Sequence, residues 1–182
     1  MCSSLSLAAV PGQLRPGEGF ELRVDGVRCG AHFSPCRTWR YALYRVWEET
    51  LQRLAVFGLN PSTADEIQDD PTIRRLIRYA RDWGFGGLNM GNIFAFRATD
   101  PRDMKAVSDP VGPDNDAWLA RLAADSGLVL AAWGVHGVHR GREQQVLALG
   151  LPCVCLGQTK DGHPKHPLYL RADTLPVPYT PA

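Results

Sequence analysis

Leu54-Ala55-Val56-Phe57-Gly58-Leu59-Asn60-Pro61-Ser62-Thr63 is the stretch on which the reading of this chain turns. Four apolar residues followed by Gly, Asn and Pro describe a buried strand that ends in a sharp turn. In an open α/β sheet, ligands bind beyond the carboxyl ends of such strands. Asn60 therefore stands where chemistry is expected. Its carbonyl oxygen can orient a water and its NH2 can hold a polar ligand atom. The bland alternative is that Asn60 only completes its turn.

Working outward, apolar runs alternate with helical patterns. Asp70 is an N-cap and Pro71 suits the first helical position. Ile73, Leu76, Ile77 and Ala80 make the apolar stripe, Arg74, Arg75, Arg78 and Arg81 a basic set beside it, and Trp83-Gly84 the stop. A strand is expected over Gly87 to Phe96, then a long loop to Asp114, then a helix over Asn115 to Ala124. Leu128 to Trp133 reads as a strand, Val138 to Leu149 as a helix, Leu151 to Leu156 as a strand and Leu168 to Leu170 as a last strand. Upstream, residues 1–19 read as a flexible lead-in and residues 20–47 as β structure, with Asp25-Gly26 as a hairpin turn. The alternation predicts a single α/β domain over residues 20–182. Its expected architecture is a three-layer sandwich around a central, mostly parallel four-stranded sheet. The N-terminal β segment would join an edge or cap one end.

Bulk properties narrow the function classes. The net charge of +1 argues against a broad electrostatic grip on nucleic acid and leaves room for a local basic patch. No apolar run approaches the ~20 residues that span a bilayer, and Met1 to Pro11 has no basic start, so neither membrane insertion nor a signal peptide is expected. A cytoplasmic location, no membrane partner and a monomer are the expectations. Five cysteines, Cys2, Cys29, Cys36, Cys153 and Cys155, are odd in number and irregular in spacing. That argues against a disulfide scaffold, and no C-x2-C pair supports a metal site. We expect buried thiols, no metal and no cofactor.

In a parallel sheet four groups would meet at the carboxyl edge. They are Asn60 with Ser62 and Thr63; Asn92 with Phe94, Phe96 and Arg97; Trp133 with Gly134 and His136; and His163 or His166. Taken together, Trp39-Arg40-Tyr41, Asn60 to Asp65, Asp70-Pro71-Thr72, Asn92 to Phe96, Ala132-Trp133-Gly134 and Lys165 to Tyr169 resemble a family known as domain of unknown function 1643. That resemblance covers residues 33–171. A more distant one links Gly58-Leu59-Asn60-Pro61-Ser62, Gly91 to Phe94, the Trp133-Gly134 turn and His166-Pro167 to the uracil-DNA glycosylase superfamily.

The distant resemblance implies hydrolysis of an N-glycosidic bond, with DNA, or a free nucleotide or nucleoside, as partner. The base would be uracil or a mismatched, damaged or modified one, flipped from its stack if it lies in duplex DNA. Asn60 would position the water, with Asp69 as the carboxylate to name if Asn60 does not. His166 would donate to the base or a nearby phosphate, and Asn92 would bind the base edge. Phe94 or Phe96 would stack, and Trp133 would form a wall or belong to the core. Ser62 and Thr63 would hold a flanking phosphate, with Arg40, Arg74, Arg78 and Lys165 as further phosphate contacts. The chain lacks the Asp of the most active glycosylases, and Leu168-Tyr169 replaces the Ser-Pro that usually follows the His-Pro pair. A non-catalytic binding module for a nucleotide or modified base remains the alternative.

Overall fold

The computed structural model describes residues 19–62, 64 and 68–181. Its strands are β1 (Gly19–Val24), β2 (Val27–Phe33), β3 (Arg40–Val46), β4 (Arg53–Gly58), β5 (Gly87–Asn92), β6 (Leu128–Ala131), β7 (Val154–Cys155) and β8 (Val177–Pro178). The helices are α1 (Pro71–Asp82), α2 (Pro101–Ala106), α3 (Asn115–Ala124) and α4 (Arg142–Leu147), with 3-10 segments at Gly134–Gly141 and Pro167–Tyr169.

All eight strands form one mixed sheet in the order β1-β2-β3-β5-β4-β6-β7-β8. Four of its seven pairings, β1–β2, β2–β3, β3–β5 and β7–β8, are antiparallel. The expectation of a three-layer sandwich on a four-stranded, mostly parallel sheet is therefore corrected. The N-terminal β segment is part of the sheet itself, because β3 is buried along its whole length and pairs directly with β5. A strand buried on both faces does not serve as an exposed edge. With only 29% helix, the helices are also too few to cover so wide a sheet on both sides.

Sequence explains the local structure well. Asp25 and Gly26 both have positive φ (48° and 81°), as a two-residue hairpin with Val24 opposite Val27 requires. On β4, Leu54 and Val56 face one side and Ala55 and Phe57 the other, all fully buried. Ile73, Leu76, Tyr79 and Ala80 of α1 pack with Leu54, Val56 and Leu88. Leu119 and Leu122 of α3 pack with Ala55 and Phe57. Each large side chain so buried contributes about 1.5–3 kcal/mol.

Several element boundaries moved. The strand expected to Phe96 stops at Asn92, where the chain turns over the end of β4 and Ile93 N–H donates to Gly58 O at 2.9 Å. The loop before Asp114 contains α2, capped by Asp100, whose side chain accepts from Arg102 N–H at 2.8 Å. The helix expected from Val138 begins only at Arg142, because Arg140 and Gly141 adopt positive φ and break the run. Leu168 lies in a 3-10 turn rather than a strand, and β8 is the last strand. No helix among the described residues is long and apolar enough to cross a membrane.

Candidate functional site

A cleft of about 780 Å3 opens at the carboxyl ends of β4, β5 and β6. Its wall includes Asn60, Ser62, Asp70, Asn92, Trp133 and His166, with Arg40, His136, Lys165 and Tyr169.

The floor is set by strand register. Gly58 lies opposite Asn92 in the parallel β4–β5 pair. A Cβ at position 58 would stand 2.6 Å from Met90 Cε and 3.0 Å from Asn92 Oδ1, so glycine gives the amide its space. Asn92 is only 2% exposed, yet its side chain hydrogen-bonds no described residue. Its backbone, by contrast, is held firmly. Asn115, itself buried, donates from Nδ2 to the carbonyls of Asn92 and Ile93 at 3.0 Å each. The Asn92 amide is not sealed from solvent, so the group stays open to the cleft, where water or a ligand edge can complete it.

Asn60 is oriented by its NH2, which donates to Ala98 O at 2.7 Å and Pro61 O at 3.1 Å. Those two carbonyls fix which end is which. Oδ1 is left as the acceptor, and Asn60 lines the cleft. Arg40, buried in β3, donates to the carbonyl of Ala64 and so braces the segment that follows Asn60.

His166 accepts from Leu168 N–H through Nδ1 at 3.3 Å. The neutral ring therefore carries its proton on Nε2, a donor. Burial pushes the His166 pKa below its ordinary value, against a smaller upward pull from Asp70. Asp70 caps α1, accepting from Ile73 N–H at 2.8 Å, and also lines the cleft. The loop bearing His166 is anchored by a buried carboxylate. Glu143 Oε2 lies 3.0 Å from His163 Nδ1, and Tyr179 donates its hydroxyl to Glu143 Oε1. His163 does not line the cleft.

The structure thus brings Asn60, Ser62, Asn92, Trp133, His166, Arg40 and Lys165 to one cleft and leaves other candidates outside it. Asp69 is held by Arg45, whose Nε and second guanidinium nitrogen approach it at 3.0 and 2.9 Å. Phe94 is fully buried in the core, beside the His139 ring. Trp133, although on the wall, is 1% exposed and packs edge-on against Tyr179. Arg74 donates to the Asp69 carbonyl, and Arg78 pairs with Asp82 at 3.6 Å across one helical turn. Thr63 lies outside the described residues. Sequence reasoning missed Thr72, Thr99, Thr159 and Tyr169 as lining residues and favoured a capping role for Asp70 over a functional one. The word Asp70-Pro71-Thr72 was the signal available for two of them.

A family model described as "Protein of unknown function (DUF1643)" matches residues 40–168. The chain belongs to this family. The matched span of the DUF1643 chain contains every cleft residue named above except Tyr169. No curated protein and no solved structure matches the chain, and the likeness to the uracil-DNA glycosylase superfamily gains no support from these comparisons.

Proposed function

We propose that this cleft binds a nucleobase and that the protein hydrolyses the N-glycosidic bond between that base and its sugar. The observation that carries the reading is Asn92. A buried amide that offers one acceptor and two donors to an open cleft suits the mixed donor–acceptor edge of a base. Asn60 and His166 line the same cleft from two other segments.

The chemistry balances with these groups. A water held by Asn60 Oδ1 adds its oxygen to the anomeric carbon as the carbon–nitrogen bond breaks. The bonding electron pair leaves with the base, which takes a proton from solvent or is stabilised by the Nε2–H of His166. The water proton passes to solvent. An amide cannot deprotonate the water, so leaving-group stabilisation and positioning supply most of the acceleration. The Asp70 carboxylate on the same wall adds negative charge, favourable to a cationic sugar.

A panel of oligonucleotides and nucleosides carrying uracil, mismatched, damaged and modified bases tests the proposal through release of free base. Asn60→Ala is expected to lower the rate on the true substrate about 10²-fold or more. Full activity in that variant would end the assignment. The second reading, binding without cleavage, is favoured by the use of the Asn60 NH2 in holding two carbonyls. It predicts binding that Asn92→Ala abolishes and no base release from any member of the panel.

A further inference from the structure

The mouth of the cleft carries a cationic pair drawn from two elements. Lys105 of α2 places Nζ 3.2 Å from Nδ1 of His136, in the segment after β6. An ammonium has only donors. Nδ1 therefore accepts, and the neutral ring carries its proton on Nε2. His136 lines the cleft and Lys105 adjoins it through this contact, so the imidazole N–H and the remaining ammonium N–H groups lie beside one another at the edge of the cleft. The arrangement is braced. Arg140 donates to the carbonyls of Val107 and Ser108 at 2.8 and 2.6 Å, which ties the His136 segment to the end of α2. Among the described residues, no carboxylate lies within ion-pair distance of Lys105 or His136, and the same holds for Lys165 on the cleft wall. His139, beside them, has its pKa pushed down by burial first and then by the charges of Arg140 and Lys105.

We propose that Lys105 and His136 form a phosphate subsite of the cleft. The ligand class is then a phosphorylated nucleoside, as a free nucleotide or as a unit of a strand. This rests on the reading of the cleft as a nucleobase site. The cleft volume is in the range that holds a whole small ligand rather than a bare ring. A multivalent anion is the ligand that several converging N–H donors and an uncompensated ammonium favour.

The test uses the full chain and inorganic phosphate, at constant ionic strength set with chloride. Imidazole nitrogen NMR follows His136, assigned with His136→Gln. The His136 Nε2 signal is expected to shift saturably. Lys105→Met should weaken phosphate binding about tenfold, by loss of one charge-assisted donor. Lys105→Arg should retain most of the affinity, and Lys160→Met, an exposed lysine off the cleft, should leave it unchanged. An unmoved His136 signal, or equal affinity in wild type and Lys105→Met, would overturn the subsite. Ribose 5-phosphate and an abasic trinucleotide then compete with inorganic phosphate. Stronger competition by one identifies the source as a free nucleotide or a strand, and no competition by either overturns the proposal. None of these probes carries a base. Phosphate binding without base release would therefore sink the hydrolase alone, and base release with a silent His136 would sink the subsite alone.

Discussion

Asn92 and Asn115 are both buried amides on adjoining elements, and the structure predicts opposite outcomes for their removal. Asn115 is fully buried and donates two hydrogen bonds of 3.0 Å. Each is worth about 1 kcal/mol net, and Asn115→Ala would also leave the Asn92 carbonyl short of a partner. The carbonyl of Ile93 keeps a 2.6 Å bond from Arg142 Nε. The expected cost of Asn115→Ala is therefore about 2–4 kcal/mol. Asn92→Ala loses no side-chain hydrogen bond to any described residue. It gives up some packing against Gly58 and exchanges an amide open to the cleft for a methyl group, two small effects. The space created opens on the cleft and fills with water, so no sealed cavity is added. The net change is expected within about 1 kcal/mol of zero. Binding should fall sharply, since two hydrogen bonds to a ligand amount to about 2 kcal/mol, or roughly 30-fold in affinity. Urea denaturation of both variants, with base release or ligand binding measured on the folded protein, gives the comparison. If Asn92→Ala cost 2 kcal/mol or more, its amide would be part of the scaffold and the argument for a ligand would fall.

Two further expectations concern titration. Burial lowers the His166 pKa from its ordinary 6.5, so between that lowered value and 6.5 the unfolded chain binds more protons than the folded one. His166 thus leaves stability at its full value above 6.5 and reduces it as pH falls from there toward the folded pKa. His166→Gln should flatten that slope in urea midpoints taken between about pH 5 and 8, and an unchanged slope would refute the assignment. Cys36, exposed at the turn between β2 and β3, has its thiol lowered to about 7 by hydrogen bonding with Ser34 first and then Thr38. Burial pushes Cys153 up to about 11 and also raises Cys155. Alkylation mapped by mass spectrometry should modify Cys36 first, with a rate midpoint near pH 7 that rises in Ser34→Ala; a midpoint near 9 in the native chain would contradict the geometry.

Much of the fold and part of the site can be read without coordinates, because they depend on neighbours along the chain. The Asp70-Pro71 start of α1, the Asp25-Gly26 hairpin, the burial of residues 54–57 and the α3 span all follow from local stereochemistry and apolar spacing. The same logic marks Asn60 and Asn92 as strand-end amides. Sheet order is different, since it depends on which distant strands share hydrogen bonds. The β3–β5 pairing, which draws the N-terminal strands into one mixed sheet, leaves no trace in either strand taken alone.

The strand-end turn at Gly58 to Ser62 is thus a local fact, whereas its chemistry is a tertiary one. Sequence determined that an amide stands at the end of a buried strand. Only the folded chain decided that its NH2 is occupied by Pro61 and Ala98, that Gly58 makes room for an Asn92 side chain that bonds no described residue, and that a loop anchored on Glu143 brings His166 to the same cleft. Turn formation is governed by residues in contact along the chain. The second hold on the Asn60 amide comes from Ala98, and the anchor of the His166 loop from Glu143; these groups lie 20 or more residues away and meet only when the sheet has closed its register.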